Sequence, residues 1–526
     1  MKIRSDIIKV YKDVHIWVGI LAGLMLFIAF YAGAITMFEK PLERWATPPS
    51  TLSAPPSLQR TPELLAAVLQ AHPEAAKNYS VTVAITADAP ARVIWRVRGD
   101  RPRQFTEFGA SFAADGSLQV EQLRKAPVAQ LVDTLHQFVG LPFPDAISRP
   151  IMGIVALLYA VALVSGVIVL LPTLVKDFFA VRVGRNIKRM WLDVHNALGI
   201  VSLPFHLVMA LTCVIFAFHD QIYDVQDAVV YPQGIQWGEE HGRVHAPDAQ
   251  PLPAPELLAR AQAQLPGFDI HSLGFQHTGD DVEGRVTGLD IRYGTRARTY
   301  ASTHLDPYTG EVDAHDLPGH MDGWDTAVNS FFMLHFGSFG GNPVRWMYLL
   351  LGLGGAVVFY TGNLLWIESR RKKQRDAALP AQKRSTQVLA CLTIGVSLGS
   401  IAGISATLAA TKWLPALTPH LAAWHEGIYY TVFVLSLAWA FARGAARAAH
   451  ELLRACALAT ALVPLGSLAG LSGIAGTWNH PGAGVAVDAT ALVAAVVFWR
   501  LARHSQRRAL QGHRDSVWSQ ATAEVR

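Results

Sequence analysis

Charge is scarce in this chain: only 16% of its 526 residues are Asp, Glu, Lys or Arg, against 51% hydrophobic. Soluble domains carry about 25% charged residues, so the balance excludes a simple soluble fold and assigns the apolar excess to a lipid bilayer. Cysteine is scarcer still. Cys213, Cys391 and Cys456 lie far apart inside apolar runs, which leaves no disulfide framework, no CxxC redox motif and no CxxCH site for covalent haem attachment. No G-x-G-x-x-G leads from a strand into a helix, and the basic loops are too short to fold a flavin or nicotinamide domain. Hydrolytic machinery is likewise missing. The net charge of +5 comes from Lys and Arg in short loops and carries no signal for nucleic acid.

A bilayer core needs about 20 predominantly apolar residues per helix. Runs of that kind occupy approximately 15–38, 149–173, 196–219, 343–367, 387–411, 424–443, 455–475 and 485–503, so about eight transmembrane helices are expected. The first lacks a small-residue cleavage site and runs straight into FEKPLERW, which predicts a retained helix. Basic clusters at Lys2 to Lys12, Arg182 to Arg189, Arg370 to Arg384, Arg443 to Arg454 and Arg500 to Arg508 all fall on one side. By the positive-inside rule that side is the cytoplasm, with both termini there and the long segments 39–148 and 220–342 outside.

An internal repeat organises the first 370 residues. YKDVHIWVGILAG (11–23) parallels MWLDVHNALGIVS (190–202), with D-V-H and the following Gly in register, so His15 and His195 are equivalent. The returns match as well: TLHQFVGLPFPD before a span ending in Ser165-Gly166 parallels MLHFGSFGGNPV before one ending in Thr361-Gly362. His136 and His335 are equivalent in turn. Each half therefore reads as helix, external segment, helix, and two halves of parallel topology predict a four-helix bundle with approximate two-fold symmetry about the membrane normal. The external segments read as small α+β units. Helical TPELLAAVLQAHP precedes strand-like YSVTVAITA, ARVIWRVRG and QFTEFGASFA, and PAPELLARAQAQLPG precedes HSLGFQH, VTGLDIRYG and RTYASTHLD.

Histidine at membrane depth is costly unless it is paired, ligated or turned to a polar cavity, so these histidines are functional candidates. A b-type haem held by two imidazoles needs one His from each of two facing helices and small residues beside the macrocycle, a clearance offered by Gly19, Gly23, Gly33, Gly166 and Gly199. By symmetry His15 with His195 forms a cytoplasmic-side pair and His136 with His335 an external-side pair. His206 has no histidine counterpart, the equivalent position being Leu26. It reads as a ligand, a relay between haems or a hydrogen-bonding core residue. On one unbroken helix, its spacing of eleven from His195 puts both within roughly 20° of one face and about 16 Å apart.

The combination of DVHIWVG, LHQFVG, DVHNALG with SLPFHLVMALT, the DPYTG turn and LHFGSFGGNP ending in TGNLLW resembles the PepSY-associated transmembrane family over roughly residues 8–372. The resemblance implies PepSY-like periplasmic domains above a haem-b bundle, with His15, His136, His195, His206 and His335 as the iron-binding positions. It further implies two haem b groups and reductive iron release from a ferric siderophore in the periplasm. Oxygen donors hold Fe(III) far better than Fe(II), so one electron labilises the ion. The donor is then a separate cytoplasmic reductase or a membrane quinol.

The fold class expected is an all-α integral protein of the bacterial inner membrane with small α+β periplasmic domains. Its parts are a cytoplasmic N-terminus with the first span (1–38), a first periplasmic domain (39–148), two spans with a basic loop (149–219) and a second periplasmic domain (220–342). A fourth span (343–367), a linker (368–386), four additional helices (387–503) and a cytoplasmic tail (504–526) follow. The alternative is a non-enzymatic membrane protein whose PepSY-like domains bind a protein or peptide. Transport is a weaker third reading, because no broken helix with a midplane charge cluster is legible.

Overall fold

The computed structural model describes residues 4–520 except 87–88, 99–104, 175–186, 230–249, 279–280, 291–300, 318, 372–381, 475, 481 and 513–514. Arg182, Arg185 and most of the basic linker after Arg371, used above for orientation, lie outside the described residues. The chain divides into a helical unit (1–46, 126–225 and 346–526) and a sheet unit (47–125 and 226–345).

Along the chain, α1 (Ser5–Thr36) and α2 (Glu39–Ala46) belong to the helical unit, and α3 (Thr61–Ala71) to the sheet unit. The helical unit resumes with α4 (Val128–Gln137), α5 (Asp145–Leu170), α6 (Ile187–Val201) and α7 (Leu203–Ala217). Next come α8 (His219–Val229), α9 (Ala254–Gln264) and α10 (Gly323–Phe336), the last two in the sheet unit. The series ends with α11 (Gly341–Ser369), α12 (Arg384–Thr411), α13 (Leu421–Arg443), α14 (Ala445–Leu462), α15 (Leu465–Leu471) and α16 (Ala483–Gln511).

Among the described residues six helical stretches are long and apolar enough to cross a membrane, or seven if one bent pair counts as a single span. Eight were expected. The remaining expected run, 424–443, forms α13 but does not meet the same test of length and apolarity. The bent pair is α6 with α7, which meet at 71°. Pro204 lies in the first turn of α7, where its missing N–H and fixed φ favour a helix start over continuation, and Ser202 between the two pieces leaves helical geometry at φ −92°, ψ 7°. The expectation that His195 and His206 share one face of a straight helix is therefore corrected.

The two external segments, expected as separate α+β units, share one antiparallel sheet of order β4-β3-β2-β1-β5-β6-β7. Its strands are β1 (Asn78–Thr82), β2 (Val93–Arg98), β3 (Phe105–Phe112), β4 (Leu118–Leu123), β5 (Phe268–Thr278), β6 (Asp281–Asp290) and β7 (Ala301–Leu305). The repeat is visible in this order: β1 and β5, each the first strand after its helix, pair at the centre with Tyr79 opposite Phe275. Those two rings stack at 4.9 Å. A buried core of Leu64, Val68, Trp95, Leu257, Leu273 and Leu305 lies between the sheet and α3 and α9.

Candidate functional site

Within the helical unit each half of the repeat directs its D-V-H histidine at the helix that closes the same half. On α1 the His15 Nδ1–H donates to the carbonyl of Ala162 on α5 at 2.8 Å. On α6 the His195 Nδ1–H is shared between the Val358 carbonyl and the Thr361 hydroxyl of α11, both at 3.1 Å. Ala162 and Val358 occupy equivalent positions, four residues before Gly166 and Gly362. Those glycines seat the rings: a Cβ on Gly166 would come within 2.9 Å of His15 Cε1, and one on Gly362 would stand 3.7 Å from His195 Cε1.

The chemistry of this arrangement follows from hydrogen-bond roles. A carbonyl only accepts, so Nδ1 must carry the ring proton and Nε2 keeps the lone pair. An imidazole whose other nitrogen is tied to a carbonyl is oriented and made more basic for a metal at Nε2. The His15 and His195 rings stand with centroids 6.2 Å apart and planes at 76°. Two imidazoles bound on opposite sides of one metal, at nitrogen–metal distances of about 2.0–2.1 Å, have centroids about 6 Å apart. The spacing of the two rings is therefore that of two imidazoles sharing one metal.

The five clearance glycines divide into three kinds. Gly19 and Gly199, each four residues after its D-V-H histidine, have nothing within 4 Å of an added Cβ and border open space. Gly166 and Gly33 instead seat histidine rings, Gly33 lying 2.7 Å by the same measure from His136 Nδ1, while Gly23 faces Asn363. Buried donors without partners flank the pair. Asn363 Nδ2 sits beside Gly362 in sequence, and the indole nitrogens of Trp191 and Trp366 lie one turn from His195 and Gly362.

His136, near the end of α4, places Nδ1 2.8 Å from the Ala29 carbonyl of α1, repeating the same ring anchorage. His335 is buried in the last turn of α10, which Gly337 terminates at φ 56°. Although the repeat pairs them in sequence, they belong to different units, His136 to the helical one and His335 to the sheet one.

His206 lies in the first turn and a half of α7, only 3% exposed. Phe30 surrounds it at 5.6 Å, Tyr159 and Phe205 at 5.9 Å, and Phe359 at 6.4 Å between ring centroids. A Cβ on Gly355 would approach its Cε1 to 3.2 Å. The seat is thus the one described for the other histidines, but its Nδ1 partner is the Tyr159 hydroxyl at 2.5 Å. Tyr159, Thr361, Gly355 and Gly362 were not anticipated from sequence as functional. The aligned S/T-G ends of the second and fourth spans carried a signal for Thr361 and Gly362; none marked Tyr159.

Membrane-length helices and partly buried, carbonyl-anchored imidazoles define a multi-pass membrane protein with histidine sites inside its helical unit. The chain belongs to the family described as PepSY-associated TM region, matched over residues 13–369. That match contains all five histidines and stops before α12. No curated protein matches the chain.

Proposed function

We propose that the protein is an inner-membrane haem-b oxidoreductase that passes electrons outward and reduces a ferric siderophore in the periplasm. The observation that supports this most is the His15 and His195 pair at 6.2 Å, each ring held through Nδ1 by an equivalent carbonyl. His15 and His195 would hold one haem b and His136 would serve a second, with His206 as a further ligand or relay. Haem bound here supplies reversible one-electron transfer. The chain's own residues orient the imidazoles through Ala162 and Val358, leave room at Gly19 and Gly199, and offer Asn363, Trp191 and Trp366 as donors suited to porphyrin carboxylates.

Electrons would come from a separate cytoplasmic reductase or a membrane quinol, and release of iron follows from the weaker hold of oxygen donors on Fe(II). Protein reduced anaerobically and mixed with a ferric hydroxamate should reoxidise, with Fe(II) trapped by a ferrous chelator in matching amount. A reduced protein that ferric chelates leave unoxidised would refute the reductase reading.

A further inference from the structure

The hydroxyl of Tyr159 has one proton and two acceptors within reach. It stands 2.5 Å from His206 Nδ1 and 3.1 Å from the His206 backbone carbonyl. Donation to Nδ1 would put the ring proton on Nε2, a buried nitrogen with no hydrogen-bond partner, leaving an N–H stranded among phenyl rings. A buried N–H without an acceptor is strongly disfavoured. Donation to the carbonyl instead lets the phenol oxygen accept from Nδ1–H and leaves the Nε2 lone pair free.

The second arrangement repeats what the chain builds at His195. There the Thr361 hydroxyl donates to the Val358 carbonyl at 2.9 Å while its oxygen lies 3.1 Å from His195 Nδ1. Tyr159 and Gly355, which together hold the His206 ring, occupy equivalent positions of the two halves, each six or seven residues before the S/T-G pair. One half thus supplies the hydroxyl and the other the seat.

We infer that Tyr159 is a positioning residue that fixes His206 in the Nδ1–H tautomer, which keeps its Nε2 lone pair available to a haem iron. This rests on the haem reading above.

Full-length protein purified in detergent, as wild type, Tyr159→Phe and His206→Ala, tests it through haem content, low-temperature EPR of the ferric state, midpoint potential and haem loss to an excess of apo-globin. His206→Ala should abolish the EPR signature of one centre. Tyr159→Phe keeps the ring in place but strips the acceptor from Nδ1–H, so that centre should lose haem about 10–100-fold more readily. Its potential should rise, because a less basic imidazole favours ferric iron less. Tyr159→Phe matching wild type in EPR, potential and retention, or changing only thermal stability, overturns the inference. So does His206→Ala with unaltered spectra. A wild-type protein without a Soret band removes the haem reading itself, and is thereby distinguishable from failure at Tyr159 alone.

Discussion

Substituting alanine for the two equivalent glycines that seat His15 and His195 should give unequal results. At Gly166 the new Cβ would lie 2.9 Å from His15 Cε1 and 3.1 Å from Nδ1, whereas ordinary contact begins at 3.4 Å. The ring must retreat by about 0.5 Å, against a 2.8 Å bond that ties it to Ala162; overpacking of this kind costs about 1–3 kcal/mol. If that cost falls on ligation, iron is held about 5- to 150-fold more weakly. At Gly362 the corresponding Cβ stands 3.7 Å from His195 Cε1, an ordinary contact. Both substitutions gain the same helix propensity, about 1 kcal/mol, so the difference between them isolates the seat. Haem content and the reduced-minus-oxidised α-band measured on both variants read it directly. Gly166→Ala should lose or displace one centre while Gly362→Ala keeps both. Equal losses, or a Gly166→Ala protein indistinguishable from wild type, would refute the reasoning.

A Cβ on Gly199 would have nothing within 4 Å, so Gly199→Ala should leave the helical unit melting as wild type does while its haem content falls; full haem retention by absorbance would show that the space serves no macrocycle. Trp45 is fully buried and its indole N–H reaches Asp488 at 2.9 Å and Ser467 at 3.2 Å, while Lys412 Nζ stands 4.5 Å from its ring centroid. Trp45→Ala should destabilise the helical unit by about 3–5 kcal/mol, seen as a lower Tm in detergent. In the sheet unit, burial pushes the Glu107 carboxyl up, but Lys125 and Arg96, with Arg96 at 2.6 Å, outweigh it and hold its pKa below the usual value. The pairing stabilises above the unfolded pKa of about 4.3 and is lost as pH falls through the lower folded value. Glu107→Gln should therefore cost about 1 kcal/mol at pH 7 and nothing at pH 2, by thermal unfolding.

Much of the site was legible because the internal repeat turns isolated histidines into equivalents. D-V-H and S/T-G recur in register, and in both halves the folded chain ties the D-V-H histidine to the carbonyl four residues before the S/T-G glycine. What resisted reading depends on breaks in periodicity and on tertiary partners. Helical spacing placed His206 on the His195 face, but Pro204 starts a new helix there and the 71° bend removes the shared face. Strand patterns foretold two sheets' worth of strands but not that β1 and β5 would pair, since edge partners are chosen by tertiary assembly. Glycine spacing suggested five clearances, and only neighbouring side chains separate the open positions Gly19 and Gly199 from the ring seats. Tyr159 reads in sequence as one more apolar-face aromatic, and only its 2.5 Å approach to His206 marks it out.

The central claim is that the anchored His15 and His195 rings hold haem iron, and visible spectroscopy of the purified full-length chain tests it most directly. A reduced-minus-oxidised spectrum with haem-to-protein stoichiometry should show b-type bands at two haems per chain, and His15→Ala or His195→Ala should remove one of them. A protein without a Soret band, or one whose spectrum survives both substitutions intact, would contradict the account.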